Sequence, residues 1–489
     1  MAAAGTVAYY WAVVRPLPRP ALAVVYYHNR SKRGSLELLR RWSERTGTPL
    51  LLLANRTADE VAGLVDEQLV IDFGDLESAA GALRHVCAGG LRVAGCVPFG
   101  EDEVPLVSVA CEALRLPGNP LETSILTRHK RAMRERMRAL GVPVPRWFPV
   151  GDVGEARRVL RERFLAEGRT AFLKPPLGTG SMFCAEVADE DALDRLWEPY
   201  HAGSREVAVA DPLWSRLFGP GREPYHLLLE DRLGTYSLPW EDALRDRFPV
   251  HEVSVDGIVT GAGGFVHGIT DKLVPDSRDG REHLWRTTRL PASLRAVLER
   301  RALALARGVG MRVGGFHLEL RLEAVAPESA DAVIDGTPVR AVPLELASRL
   351  GGASMQTFWH EATGFDAVGF LAYQACGMAA ATGAPHLRPS IMLNLWPDGD
   401  GRLAAVEGVE AVAREHGDLL REAVVYDGPG DRVLLSPAAE RGVGHVRFLD
   451  ASLDLAGQAA GETPAAAAAY LRLERALLFA RDTIRVRVD

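Results

Sequence analysis

Two acidic residues stand in two apolar segments of this 489-residue chain. One segment reads Gly314-Gly315-Phe316-His317-Leu318-Glu319-Leu320-Arg321. The other reads Val342-Pro343-Leu344-Glu345-Leu346-Ala347-Ser348-Arg349. Polar residues alternate with Phe316, Leu318, Leu320 and Leu322 in the first, and Val342, Leu344 and Leu346 alternate with Pro343 and Glu345 in the second. Period-two alternation predicts strands, each with its carboxylate on the polar face. The link over residues 325–336 is rich in Ala, Asp, Pro and Ser, as an antiparallel connection would be. Two carboxylates on one sheet face, with Arg349 following the second, can hold Mg²⁺ against a polyphosphate. The competing reading is a solvated sheet face.

Further chemistry lies upstream. Phe172-Leu173-Lys174 is an apolar run ending in a lysine, followed by a loop containing Gly178, Thr179, Gly180 and Ser181. A lysine at a strand end can meet phosphates, and the N–H groups of such a loop can cover them. The lysine precedes the glycines, so this is not a Walker A loop; alone it reads equally as a turn. Lys130 and Arg134 are spaced one helical turn apart. Leu227-Leu228-Leu229-Glu230-Asp231-Arg232-Leu233 is an apolar strand running into acidic residues, a segment able to partner an adenine amino group. The segment His251-Glu252-Val253-Ser254-Val255-Asp256-Gly257 brings another carboxylate, suited to ribose hydroxyls.

The elements that must position these groups follow from apolar runs and breakers. Runs at residues 21–27, 49–54, 68–73 and 91–98 alternate with helical patterns at 36–42, 61–67, 78–87 and 104–114. That alternation predicts a parallel, doubly wound sheet. No Gly-x-Gly-x-x-Gly follows its first strand, which argues against a dinucleotide site there. The turn cluster Leu116-Pro117-Gly118-Asn119-Pro120 marks a boundary. A basic helix is expected over 123–140, strands at 251–259 and 264–269, helices at 290–308 and 360–381, and a new segment from about 389. A Gly-, Asp- and Arg-rich loop covers about 234–250, and the run at 465–469 reads as a packed alanine helix.

In the order Lys130, Lys174 with its glycine loop, Glu230, Glu252, Glu319, Glu345 and Arg349, these motifs resemble the ATP-grasp family over residues 118–355. The flanks resemble its carboxylate–amine ligase branch, which joins amino acids. The resemblance implies an α/β ATP-grasp fold. Its parts would be an N-terminal α/β domain (1–120), an ATP-grasp domain (121–385) with a lid subdomain at about 146–228, and a C-terminal subdomain (386–489). It implies that Lys130 and Lys174 contact ATP phosphates, with Arg134 also among the nucleotide-binding residues, that Gly178 to Ser181 close over the phosphates, that Glu230 and Leu233 frame adenine largely through backbone groups, and that Glu252 takes the ribose. Glu319 and Glu345 would ligate Mg²⁺, with Mn²⁺ as the alternative ion. Arg349 and His317 would serve catalysis. Many members carry asparagine two residues after the second acidic ligand; Ala347 stands there instead and cannot ligate.

The implied reaction is ATP-dependent amide formation between a small carboxylate and an amine through an acyl-phosphate. Rival readings are a carboxylating enzyme like biotin carboxylase and a non-catalytic nucleotide binder. The chain lacks a Met-Lys-Met biotinyl motif. A net charge of −7 argues against nucleic-acid partners. No long apolar run predicts a membrane helix. Residues 7–14 are apolar but lack a basic leader. Five cysteines without a Cys-x-x-Cys pair point to a reducing, cytoplasmic setting. The resemblance also allows a homodimer. Asp271, Lys272, Trp359 and His360 are read as either site or packing residues, and Cys184 as packing.

Overall fold

The computed structural model describes residues 19–234, 244, 250–274, 284–334, 336–380, 386–435, 439, 441–456 and 463–489. The apolar segment 7–14 and most of the 234–250 loop lie outside the described residues. The first strands are β1 (Ala21–Tyr26), β2 (Leu50–Ala54), β3 (Glu67–Val70) and β4 (Val93–Pro98). They pair in parallel in the order β3-β2-β1-β4. Both faces of β1 are buried. Leu22, Val24 and Tyr26 pack toward α1 (Arg33–Thr46), and Ala21, Ala23 and Val25 toward α2 (Ser78–Ala88) and α3 (Glu103–Leu114). That two-sided burial is why β1 reads as continuously apolar.

The basic helix expected over 123–140 is two helices, α4 (Leu121–Arg128) and α5 (Lys130–Ala139). His129 between them has an extended ψ of 104°, and the Lys130 N–H donates to the Pro176 carbonyl at 2.9 Å. The break places Lys130 at the head of α5, against the glycine loop.

The next segment comprises β5 (Trp147–Val150), α6 (Val153–Arg163), β6 (Ala171–Lys174), β7 (Ala185–Val187), α7 (Glu190–Val209), α8 (Trp214–Phe218) and β8 (Leu227–Asp231). Its strands form an antiparallel sheet in the order β5-β8-β6-β7. One core joins Leu160 of α6 and Leu193 and Trp197 of α7 to Leu173, Leu227 and Leu229 of that sheet.

The largest sheet begins with β9 (Val250–Thr260), β10 (Gly263–Val274) and β11 (Leu284–Thr287). After α9 (Ala292–Gly308) come β12 (Gly314–Ala324), β13 (Ala332–Ile334) and β14 (Thr337–Ala347). The apolar face of β12 packs with Leu294, Leu298 and Leu305 of α9 and with Met133 and Met137 of α5. A single helix over 360–381 was the expectation. The chain instead makes α10 (Met355–Thr363) and α11 (Ala367–Ala375), because Gly364 at φ +72° closes the first.

Three strands of the C-terminal segment extend the same sheet: β15 (Ser390–Leu395), then, after β16 (Gly401–Glu407) and α12 (Val409–His416), β17 (Leu420–Val425), and, after β18 (Arg432–Val433), β19 (Gly444–Leu449). The full order is β13-β14-β12-β9-β10-β11-β15-β19-β17. The alanine run lies in α13 (Pro464–Thr483), with Ala466 and Ala469 buried, and β20 (Arg485–Val488) pairs with β16. No helix among the described residues is long and apolar enough to cross a membrane.

Candidate active site

The two acidic strands pair antiparallel, with Glu319 of β12 directly opposite Glu345 of β14 and His317 opposite Ala347. A bulge follows: Leu320 pairs with Pro343, skipping Leu344. Strict alternation would put Leu344 on the apolar face. The bulge turns it to line the same cavity as Glu345. Pro343, which has no N–H to give a ladder, is tolerated at such a break.

That cavity gathers most of the expected residues. Lys130, Lys174, Glu252, His317, Glu319, Glu345 and Arg349 line it. So do Gly178, Thr179, Gly180 and Ser181. Ser181 and Phe183 hold left-handed backbone at φ +58° and +53°. Non-glycine residues adopt that conformation at a cost, and such strain clusters at ligand clamps.

Each central carboxylate is held by a buried lysine. Lys130 Nζ lies 3.4 Å from Glu345 and donates to the Gly178 carbonyl at 3.3 Å. Lys272 Nζ lies 2.5 Å from Glu319 and 3.5 Å from Glu252. Burial opposes ionisation of Glu319, but Lys272 and the His317 imidazole override it and hold the carboxyl well below its usual range. His317 bridges Asp256 (2.9 Å) and Glu319 (3.3 Å). Burial disfavours its charged form, yet Asp256 and Glu319 raise it to about 9, so it is an imidazolium at neutral pH.

Three expected residues stand outside the cavity wall: Arg134, Glu230 and Leu233. Arg134 is fully buried and forms a two-pronged pair with Glu230 at 2.9 and 3.0 Å. Lys174 Nζ binds the same carboxylate at 3.1 Å. The break at His129 explains this, since only Lys130, at the head of α5, reaches the cavity. Glu230 thus anchors the lysine on β6 through its carboxylate. Leu233 is buried, and its carbonyl accepts from Arg321 at 3.2 Å.

Other residues of the site escaped the sequence reading. Lys272 was left undecided with Asp271. Alternation along β10 separates them, and Asp271 turns to Arg286 (3.0 Å) and Thr288 (2.6 Å). Glu101, from the N-terminal sheet unit, lines the cavity and grips Arg349 at 2.6 Å. Asn29, Lys32, Trp285, Asn394, Trp396 and Tyr426 complete much of the wall. They come from distant segments, so local pattern carried no signal for them. Trp359 is packing: it is buried among Phe358, Trp285 and Met392. Cys184 is buried, and burial pushes its thiol up to about 11, which suits packing rather than nucleophilic attack.

The oxygen-only pair Glu319 and Glu345 suits a hard cation such as Mg²⁺. Among the described residues no group of three or more His, Cys, Asp and Glu side chains is placed to hold a metal ion. The pair therefore fits an ion completed by ligand oxygens and water.

No protein-family model matches the chain. Carnosine synthase 1 of Gallus gallus is 27% identical over 425 residues, covering 84% of this chain. The chain spans only 40% of that relative's length. Among solved structures, the L-amino acid ligase from Bacillus licheniformis superposes with a TM-score of 0.66 at 16% identity, over 96% of this chain and 99% of that one. The biotin carboxylase domain of the Hydrogenobacter thermophilus 2-oxoglutarate carboxylase, solved with MgADP and bicarbonate, gives 0.58 at 15% identity, over 88% and 86%. Together with the paired sheets that close on Lys130, Lys174, Glu319 and Glu345, these likenesses identify the architecture: the chain has the ATP-grasp fold.

Proposed function

We propose that the protein is an ATP-dependent carboxylate–amine ligase, forming an amide between two small molecules of the amino-acid class and releasing ADP and phosphate. The observation that carries this reading is the facing pair Glu319 and Glu345, set among Lys130, Lys272 and Arg349 in one cavity. A carboxylate resists amines because its leaving group would be oxide. Phosphorylation turns it into an acyl-phosphate with a good leaving group. Phosphoryl transfer asks for positioning and charge neutralisation rather than a protein nucleophile.

Lys130 and Lys174 would bind phosphate oxygens, and the loop from Gly178 to Ser181 would cover them. Glu252 would take the ribose. Glu319 and Glu345 would hold Mg²⁺ or Mn²⁺, which when bound neutralises polyphosphate charge. Arg349, fixed by Glu101, would steady the transferred phosphoryl group, and His317 orients Glu319. Excluding water from the acyl-phosphate is the task of the loop. With Ala347 in place of a third donor, the ion depends on phosphate and water for its remaining ligands.

The test is product analysis. Purified protein with Mg-ATP and a matrix of paired amino acids should release ADP and phosphate and yield a dipeptide. Release of AMP and pyrophosphate would refute the reading. ATP turnover that requires bicarbonate would favour carboxylation instead.

A further inference from the structure

The far wall of the cavity carries a hydrogen-bonded chain outside the residues proposed to hold the nucleotide. Tyr426 lines the cavity just beyond β17. Its hydroxyl lies 2.6 Å from His445 Nδ1 and 2.8 Å from Ser354 Oγ. His445, on β19 and 2% exposed, places Nε2 2.7 Å from Glu422 of β17. Ser354, at the N-terminus of α10, also reaches His445 Nδ1 at 3.3 Å. Resting on the ligase reading above, we infer that Tyr426 is the proton acceptor for the attacking amine, relaying the proton to His445, whose imidazolium Glu422 stabilises.

The direction of the chain follows from which atoms can donate. A carboxylate only accepts, so Glu422 fixes the proton of His445 on Nε2. Nδ1 is then an acceptor, and the Tyr426 hydroxyl donates to it. That leaves the phenolic oxygen with lone pairs directed elsewhere, able to accept from an ammonium in the cavity. Burial pushes the Tyr426 phenol up to about 12, so it keeps its proton until another arrives. Burial opposes ionisation of Glu422, but its bonds to His445 and Arg447 hold it below the usual carboxylate range.

The other charges facing the chain are paired. Arg447 of β19 spans Glu422 (2.9 Å) and Glu361 of α10 (2.7 Å). Arg441 lies over the Tyr426 ring at 5.2 Å and is bonded to Asp427. The chain is therefore a hydroxyl–imidazole–carboxylate series, with charge to stabilise an imidazolium formed in passing. This is the arrangement a general base needs.

The step balances. An amino-acid amine arrives as ammonium. It gives one proton to Tyr426 Oη as the phenolic proton moves to His445 Nδ1. The freed nitrogen lone pair forms the C–N bond to the acyl carbon. The C–O bond to phosphate breaks, its electron pair leaving with phosphate, which carries off the second nitrogen proton. The imidazolium then returns its proton to solvent by way of Tyr426.

The experiment separates activation from amide formation. Hydroxylamine is uncharged at neutral pH and captures acyl-phosphates as hydroxamates without a base. Wild-type protein, Tyr426→Phe and His445→Gln would each be given carboxylate substrate and Mg-ATP, with either hydroxylamine or the amino-acid amine. Both variants should form hydroxamate at close to the wild-type rate, but dipeptide about 10²- to 10⁴-fold more slowly. Dipeptide formation in the variants should recover as pH rises toward the amine's own pKa. Equal loss of hydroxamate and dipeptide would make the chain structural and overturn the assignment. Unchanged dipeptide formation in Tyr426→Phe would overturn it as well. A wild-type protein that forms no hydroxamate with any carboxylate would remove the ligase reading itself, and the relay with it.

Discussion

Glu230 offers a perturbation whose size follows from the structure. It is 1% exposed and shared by Arg134, which is wholly buried, and Lys174. Burial alone would raise its pKa, but the two cations lower it from 4.5 to about 2. A folded-state pKa depressed in this way contributes stability above the unfolded value and loses it as pH falls toward 2. At about 1.4 kcal/mol per pH unit, the pairing is worth about 3 kcal/mol at pH 7. Roughly 1 kcal/mol of that survives at pH 3, where the unfolded chain binds the proton and the folded one mostly does not. Glu230→Gln keeps the shape and removes the charge. The chain has several separate cores, so global unfolding is a poor measure, and hydrogen exchange of β6 and β8 amides is the better assay. Wild type and variant should differ in opening free energy by about 3 kcal/mol at pH 7 and by about 1 kcal/mol at pH 3. A gap equal at both values would show that the variant suffers from altered packing rather than from loss of the ion pairs, and would refute the argument.

The remaining predictions concern the cavity and its support. Glu319→Ala and Glu345→Ala should each abolish ATP turnover in a phosphate-release assay, while Ala347→Asn is tolerated. Glu101→Gln weakens the only carboxylate bonded to Arg349 in a charge-assisted contact of 2.6 Å among the described residues. It should lower kcat about 10- to 100-fold with a smaller change in KM. Gly268→Ala would place a Cβ 2.2 Å from the buried Trp359 ring. Hydrogen exchange of β9 and β10 amides should show a loss of about 1–3 kcal/mol in opening free energy.

What was legible in the sequence, and what was not, divides by distance along the chain. Strands β1 and β2 announced themselves because the centre of a sheet covered on both faces needs unbroken apolar runs. Glu319 and Glu345 were visible as polar interruptions of period-two strands, and the register sets them face to face. The split of the basic helix at His129 was hidden, because it is imposed by a bond from Lys130 to Pro176, which lies in another unit. Leu344 was misplaced because a bulge shifts the alternation by one residue. Arg134 has the right helical spacing for a phosphate contact, yet a buried carboxylate 96 residues away takes it first. Glu101 with Arg349, and Tyr426 with His445 and Glu422, depend on long-range packing for which periodicity offers no sign.

The central claim is that the cavity around Glu319 and Glu345 activates a carboxylate by phosphorylation. The most direct measurement uses a substrate carboxylate labelled with oxygen-18, incubated with Mg-ATP and the amine partner, followed by mass analysis of the released phosphate. The account predicts that label passes from the carboxylate to phosphate, one atom for each amide formed, and that none enters AMP. Label recovered in AMP, or amide formed with unlabelled phosphate, would contradict it.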